Sequence, residues 1–508
     1  MSLHPGLSYT PAGSPDRALL GRLRRYALVP CLALAGMAFL PHPAQAQAVL
    51  PFSLIGHIEK FTEDIATAGT RLGGGTMTVN GVQVVIPKNT VLVMPAAYAT
   101  MGQIFDGPHP GVPWSPRESG LAMADVFHKP IVPFEATING NIVGTPPVYV
   151  AGLVYISQQA ANTADGFIKS INYATGELCV GSNPLPVFGC PAGNSRVRIN
   201  DPIGRYGLAN LSPDERFSAD TDNPTIHAAN GSPMCVPRVA PPAVDLLCPV
   251  TSRPKDLVTG NFLTQFVLTA PQAAQQVPFV LGDYITVSGT HATGGSSGNP
   301  LYVSAHTINA NVAPFTPAGV IPYLYLEKTN LGAGPTLVCP GAECTNRTID
   351  VGFTTNPAQT PNAAVYAIDV APLTGNRTVR KLIVPSIRQA VVGRFRLNID
   401  KAPQLLAGGG ATREMLFRIE DGTLLKPLTD GAPVPTGPVT ANGLIAGQYI
   451  VPTFDYLFAE GQPGAVPPSF NFQCLAFLVN GWGNGSLIIP RLDPWPGAIG
   501  QTFSCATN

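Results

Sequence analysis

From about residue 50 onward, apolar residues come in short, β-branched, alternating runs broken by Gly, Pro and Asn. This period-2 pattern constrains the chain more than any other feature. It buries one face of a strand and wets the other, and a helix has no use for it. Thr76-Met77-Thr78-Val79-Asn80-Gly81-Val82-Gln83-Val84-Val85-Ile86 shows the form. Two strands flank Asn80-Gly81, a pair whose tolerance of positive φ favours a two-residue hairpin turn. Met77 and Val79 share one face, Thr76 and Thr78 the other. Fifty-three Gly and 53 Pro among 508 residues supply the punctuation, and a charged fraction of only 12% excludes a highly charged disordered chain. Helical pattern is scarce; residues 410–420 fit either a short helix or a further strand.

The runs recur in a fixed order. A first unit opens with Gly56-His57-Ile58-Glu59-Lys60 and the 76–86 hairpin, then Thr90-Val91-Leu92-Val93-Met94-Pro95 and a long Pro-rich excursion. Phe134-Glu135-Ala136-Thr137-Ile138-Asn139-Gly140 and Val148-Tyr149-Val150-Ala151 close it. A second unit opens with Gly166-Phe167-Ile168-Lys169-Ser170 and continues through Gly176-Glu177-Leu178-Cys179-Val180 and Arg196-Val197-Arg198-Ile199-Asn200. After a longer excursion come Tyr284-Ile285-Thr286-Val287-Ser288-Gly289 and Leu301-Tyr302-Val303-Ser304-Ala305. Five strands with a long connection between the third and fourth is the plan of an OB-type barrel, which closes its sheet and removes exposed edges. The expected architecture is all-β: an OB-like five-stranded barrel at 47–160 and a second at 161–310 with a long disulfide-containing insertion. A further β region follows at 311–405, with strand candidates around Tyr325, Tyr366 and Arg396, and a loop-rich C-terminal region at 406–508.

Leu281-Gly282-Asp283-Tyr284-Ile285-Thr286-Val287-Ser288-Gly289 resembles the V-G-D-x-V-x-V-x-G phrase of a family of uncharacterised bacterial secreted modules, with Leu281 in place of Val. Arg198-Ile199-Asn200-Asp201-Pro202, Asp222-Asn223-Pro224-Thr225-Ile226, Pro233-Met234-Cys235-Val236-Pro237-Arg238 and Ala441-Asn442-Gly443-Leu444-Ile445-Ala446-Gly447-Gln448-Tyr449 are similar to uncharacterised secreted proteins of bacteria and filamentous fungi. The resemblance implies secretion and OB-like modules and brings no established activity.

The N-terminus and the cysteines both point to export. Arg22-Leu23-Arg24-Arg25 precedes an apolar run from Ala27 to Leu40, and Ala44-Gln45-Ala46 offers small residues where a signal peptidase cuts. Residues 1–46 are thus expected to be a signal peptide; fourteen apolar residues fall short of the ~20 needed to span a bilayer. Removing them leaves 26 basic and 29 acidic side chains, a slightly acidic product without the basic footprint of a nucleic-acid binder. Eight cysteines remain, an even number in an exported chain, which reads as disulfides. Local pairing gives Cys179/Cys190, Cys235/Cys248, Cys339/Cys344 and Cys474/Cys505; spacing alone does not fix connectivity. No clustered Cys/His set matches a zinc site.

Candidate chemistry is sparse. Gly294-Gly295-Ser296-Ser297-Gly298 fits G-x-S-x-G, but Asn299-Pro300 and a strand follow where a nucleophile elbow needs a helix. Asp220-Thr221-Asp222-Asn223 places Asp220, Asp222 and Asn223 in a Pro-bounded loop, as a calcium ligand set or as a turn whose side chains bond their own backbone. It lacks the later Gly and bidentate Glu of an EF-hand. His57 with Glu59, and His291 with His306 across a hairpin, give pairs without a third ligand. Tyr149, Tyr284, Tyr302, Tyr323 and Tyr325 offer either a sugar-binding face or ordinary core packing. No catalytic residue and no cofactor is assigned. Two readings follow: an exported non-enzymatic β scaffold for an extracellular glycan or cell-surface component, or a secreted hydrolase of polysaccharide or ester substrates.

Overall fold

The computed structural model describes residues 49–497, apart from 159–163, 210–212, 221–222, 270–275, 295–300, 333–347, 383–385, 390–392, 400–411, 424, 438, 454, 458–463, 465, 468 and 485–486. The expected signal segment, Cys339, Cys344 and Cys505 lie outside the described residues. The chain is all-β. Its α-helical pieces among the described residues are Met101–Phe105 and Ala476–Val479.

The first barrel is built from β1 (Leu50–Glu63), β2 (Gly75–Val79), β3 (Val82–Ile86), β4 (Phe134–Val143) and β5 (Val148–Gln158). Hydrogen bonding runs β3-β2-β1-β4-β5, and parallel pairing of Val84 with Tyr149 and Val85 with Val150 closes the ring. This is the five-strand OB order. The β2–β3 hairpin turns on Asn80 (φ 50°) and Gly81 (φ 74°), the positive-φ pair its sequence calls for. The first half of β1 pairs only with β4. Its other edge is blunted by Pro51, which has no N–H, and by Asn80 Nδ2, which donates to Ile55 O at 2.9 Å.

The second barrel repeats the plan with β6 (Ala164–Asn172), β7 (Glu177–Gly181), β8 (Ser195–Ile199), β9 (Tyr284–Ala292) and β10 (Tyr302–Ala310). It runs β8-β7-β6-β9-β10 and closes by parallel pairing of Val197, Arg198 and Ile199 with Val303, Ser304 and Ala305. The likeness extends to defects. The first strand of each barrel bulges just after a fully buried isoleucine, Ile58 or Ile168, and the fifth bulges at Gly152 or His306, opposite Asn139/Gly140 or Ser288/Gly289 of the fourth. A Cβ at Gly140 would lie 2.3 Å from Val150 O, and one at Gly289 2.3 Å from Ser304 O. Both positions need glycine because the bulge presses the backbone onto the neighbouring strand.

Beyond residue 310, two sheets enclose one core. One contains β11 (Leu324–Gly332), β12 (Thr348–Thr354), β15 (Ser386–Gln389), β16 (Arg394–Ile399) and β19 (Asp455–Leu457). The other contains β13 (Ala363–Val370), β14 (Arg377–Leu382), β17 (Glu414–Ile419) and β18 (Gln448–Pro452). Within the 410–420 stretch, Glu414–Ile419 is thus a strand. Strand pairing crosses residue 405: β17 and β18, in the region expected to be loop-rich, complete a sheet begun at residue 363. Leu324, Leu326 and Phe395 from one sheet meet Val365, Met415, Phe417 and Val451 from the other, with Phe472, Leu475 and Trp482.

The insertions tie these parts together. From the second barrel's insertion, Phe217 enters the first barrel's core against Phe134, with ring centroids 4.8 Å apart. Beside it Arg216 is held by Asp214 and donates to Ile104 O (2.8 Å) and Ser119 O (2.7 Å). The C-terminal stretch returns to the first barrel, where buried Asn141 donates to Phe470 O and Pro496 O and accepts from Phe470 N.

Candidate functional site

A cleft of about 410 Å³ opens where the three parts meet. The first barrel contributes the turn Pro95–Tyr98, and the second contributes Asp220, Asn223, Thr225 and Thr307. The third region contributes Tyr325, Glu327, Arg377, Glu414 and the strand Tyr449–Pro452. Each wall has a local cause. The turn Pro95–Tyr98 joins two short strands, Val91–Val93 and Tyr98–Thr100, within the Pro-rich excursion. Tyr325 and Glu327 alternate with Leu326, which faces the core.

Asn223 pins the second wall to the third. Its side chain copies a peptide group: Nδ2 donates to Ile450 O (2.7 Å) and Oδ1 accepts from Ile450 N (2.9 Å). The same Nδ2 donates to Asp220 Oδ2 at 2.8 Å, and the Asn223 backbone N–H donates to Asp220 Oδ1 at 3.1 Å. Of the three side chains weighed as calcium ligands, Asp220 and Asn223 are therefore bonded to each other, and Asp222 lies outside the described residues. Among the described residues no three His, Cys, Asp or Glu side chains converge as a metal would require.

Three phenols line the cleft. Tyr325 packs at a tilt of 33° on the buried His227 (3.9 Å between centroids) and meets the edge of Tyr449 at 5.9 Å. The Tyr98 ring packs edge-on against Trp482, and its hydroxyl faces Arg413 O at 3.4 Å. Burial pushes all three phenols above their ordinary value, and Glu414, Glu327 and Asp220 add to the effect at Tyr98, Tyr325 and Tyr449 respectively. They stay protonated at neutral pH. Arg377 Nη2 donates to Glu414 Oε2 at 2.7 Å, which holds both in place, while Glu327 is exposed with Arg394 only at 3.6 Å. The cleft thus combines aromatic faces, hydroxyl donors, carboxylate acceptors and one guanidinium.

Other polar groups serve the fold. Burial pushes the carboxyls of Asp201 and Asp283 up. Asp201 accepts from Tyr206 N, and Asp283 pairs with Arg253 at 2.6 Å. His291 is opposite Val303 rather than His306, so the suspected cross-hairpin pair does not form. His57 and Glu59 are exposed, and Glu59 accepts from Gly81 N. Gly294 precedes residues outside the described set. Of the tyrosines weighed as a sugar-binding face, Tyr325 reaches the cleft. Tyr323 is core, Tyr302 lies beneath Arg198, Tyr149 packs on Phe52 and Tyr284 on Phe167. Tyr98, Glu327, Arg377 and Glu414 carry no sequence signal of a site, and Tyr449 only its place at the end of the 441–449 stretch, because nothing local marks residues that meet only after three parts assemble.

Two of the four expected disulfides are present, Cys179–Cys190 and Cys235–Cys248; the partners for the other two lie outside the described residues. No helix among the described residues is long and apolar enough to cross a membrane. Comparison with protein-family models, curated proteins and solved structures finds no match to this chain.

Proposed function

We propose that this is an exported, non-enzymatic β scaffold whose inter-module cleft binds a polyhydroxylated ligand, with an extracellular glycan as the class. The observation that carries the reading is the lining: Tyr98, Tyr325 and Tyr449 around a cleft that also presents Asp220, Glu327, Arg377 and Glu414. Sugar rings offer C–H faces to aromatic rings and hydroxyls that both donate and accept, so this lining satisfies them. A pocket with few convergent polar groups on rigid elements is the usual form of such a site. Export is supported by the two disulfides and the N-terminal pattern.

The hydrolase reading has less support. The carboxyls pushed up by burial, Asp201 and Asp283, are engaged in structural bonds away from the cleft, whereas general acids gain such shifts within a reaction pocket. The test is a glycan-array and polymer-pulldown screen of the secreted protein beside its Tyr325→Ala variant. Retention on at least one glycan, lost in the variant, is expected. No retention anywhere, or retention accompanied by chain cleavage of the glycan, would overturn the proposal.

A further inference from the structure

A track of side chains leads out of the cleft across the sheet that holds β11. Hydrogen bonding in that sheet runs β15-β16-β12-β11-β19. Its inner face buries Leu324, Leu326 and Phe395, so alternation turns Tyr325, Phe353, Arg394 and Arg396 to the outer face. Cross-strand register sets Tyr325 beside Phe353, and Phe353 beside Arg394. The side chains follow that register. The Tyr325 and Phe353 rings lie 24° from parallel with centroids 6.5 Å apart, and the Arg394 guanidinium carbon is 5.9 Å from the Phe353 centroid. Tyr325 therefore belongs both to the cleft lining and to the first step of the track. The track is also cationic. Arg394 and Arg396 are both exposed. Register places Arg388 directly opposite Arg396, and Lys328 in the same row across Val351. The described strands thus bring Lys328, Arg388, Arg394 and Arg396 to one face, against Glu327 and, on the edge strand, Asp455. Like charges set directly opposite destabilise a sheet, and a bound anion relieves that.

We propose that this face extends the cleft into a site for an acidic polysaccharide, with carboxylate or sulfate groups over Arg394 and Arg396 and a sugar ring in the cleft against Tyr325. The inference rests on the cleft being the glycan site. Guanidinium forks match the oxygens of either anion, and Phe353 offers a second ring to the C–H face of a sugar. Aromatic-and-arginine faces also suit single-stranded nucleic acid. That ligand carries a charge on every residue, and Asp220, Glu327 and Glu414 in the cleft would oppose it. A polysaccharide instead sets neutral hydroxyls at those carboxylates and its anionic groups farther out, over the arginines.

Calorimetric titration of the full chain tests this with four probes: oligogalacturonate, its uncharged methyl ester, a heparin-derived oligosaccharide and oligo(dT). The wild type is expected to bind at least one of the two acidic saccharides about tenfold or more tighter than the neutral ester, the tighter one naming carboxylate or sulfate. That preference should shrink between about 50 and about 300 mM salt. In Arg394→Gln/Arg396→Gln, at exposed positions, it should fall to about twofold or less, with the wild-type melting profile kept. Equal affinity for charged and neutral saccharides, or a preference that the double variant keeps, overturns the proposal and leaves the cleft reading standing. No binding of any saccharide overturns both. Tighter binding of oligo(dT) than of either acidic saccharide assigns the face to nucleic acid and overturns the proposal.

Discussion

Asp283 is the acidic residue of the Gly282-Asp283 phrase that opens β9, and its removal should destabilise the second barrel severely. Its carboxylate accepts from both arms of the Arg253 guanidinium, at 2.6 and 3.2 Å, and from Val280 N at 3.0 Å. Both side chains are almost wholly buried, 1% exposed for Arg253 and 3% for Asp283. In Asp283→Ala the guanidinium would keep Leu263 O, at 2.8 Å from Nε, and the face of Phe266 as its neighbours. An uncompensated buried charge of this kind costs about 3–5 kcal/mol, far more than the net worth of the pair. The double variant Arg253→Met/Asp283→Ala removes both charges and should recover most of that loss, to within about 2 kcal/mol of wild type. Urea unfolding at neutral pH measures both, provided m is unchanged. A loss below about 1 kcal/mol in the single variant, or no recovery in the double variant, would refute the reasoning that Arg253 is held there by charge pairing.

Three further outcomes follow from the same packing. Burial drives His227 and His306 down to about 4, so the unfolded chain takes up their protons first as pH falls from about 6.5. Stability is therefore full above pH 6.5 and declines toward pH 4, by roughly 3 kcal/mol per histidine at the limit; a flat unfolding free energy between pH 6.5 and 4.5 would contradict this. Asn223→Ala removes the bonds that the side chain makes to Ile450 N, Ile450 O and Asp220 Oδ2, and should cost about 2–4 kcal/mol by urea titration and also weaken glycan retention. Since Asp220 and Asn223 bond each other, adding a chelator should leave the melting temperature unchanged, and a clear drop would assign a cation to this loop.

How far the molecule can be read from its residues depends on how local the cause is. Period-2 alternation, Asn80-Gly81 and the recurring glycines specify the two barrels, because strand face, turn and bulge are each decided within a few residues. Gly140 and Gly289 have a cause of that kind: one extra residue in the facing strand leaves no room for a Cβ. The third region was harder. β13 pairs with β17, about 50 positions along, across an undescribed stretch, and Glu414-Met415-Leu416-Phe417-Arg418-Ile419 is buried on both faces and so shows no alternation. The cleft was least legible. Tyr98, Asn223 and Tyr449 meet across some 350 residues of chain, and no spacing rule connects them. Asp220 and Asn223 stand out in the sequence, but as possible ligands; the bond from Asn223 to Ile450 that defines their role comes from a distant strand.

The proposed function places the ligand in the inter-module cleft. Isothermal titration calorimetry is its most direct test, using the best-retained oligosaccharide against wild type, Tyr325→Ala and Tyr284→Ala. Tyr325 lines the cleft and Tyr284 lies outside it on the second barrel. Losing an aromatic platform and a hydroxyl donor should weaken binding by tenfold or more, about 1.4 kcal/mol, in Tyr325→Ala and leave Tyr284→Ala at the wild-type affinity. Unchanged affinity in Tyr325→Ala, or equal loss in both variants, would contradict the account.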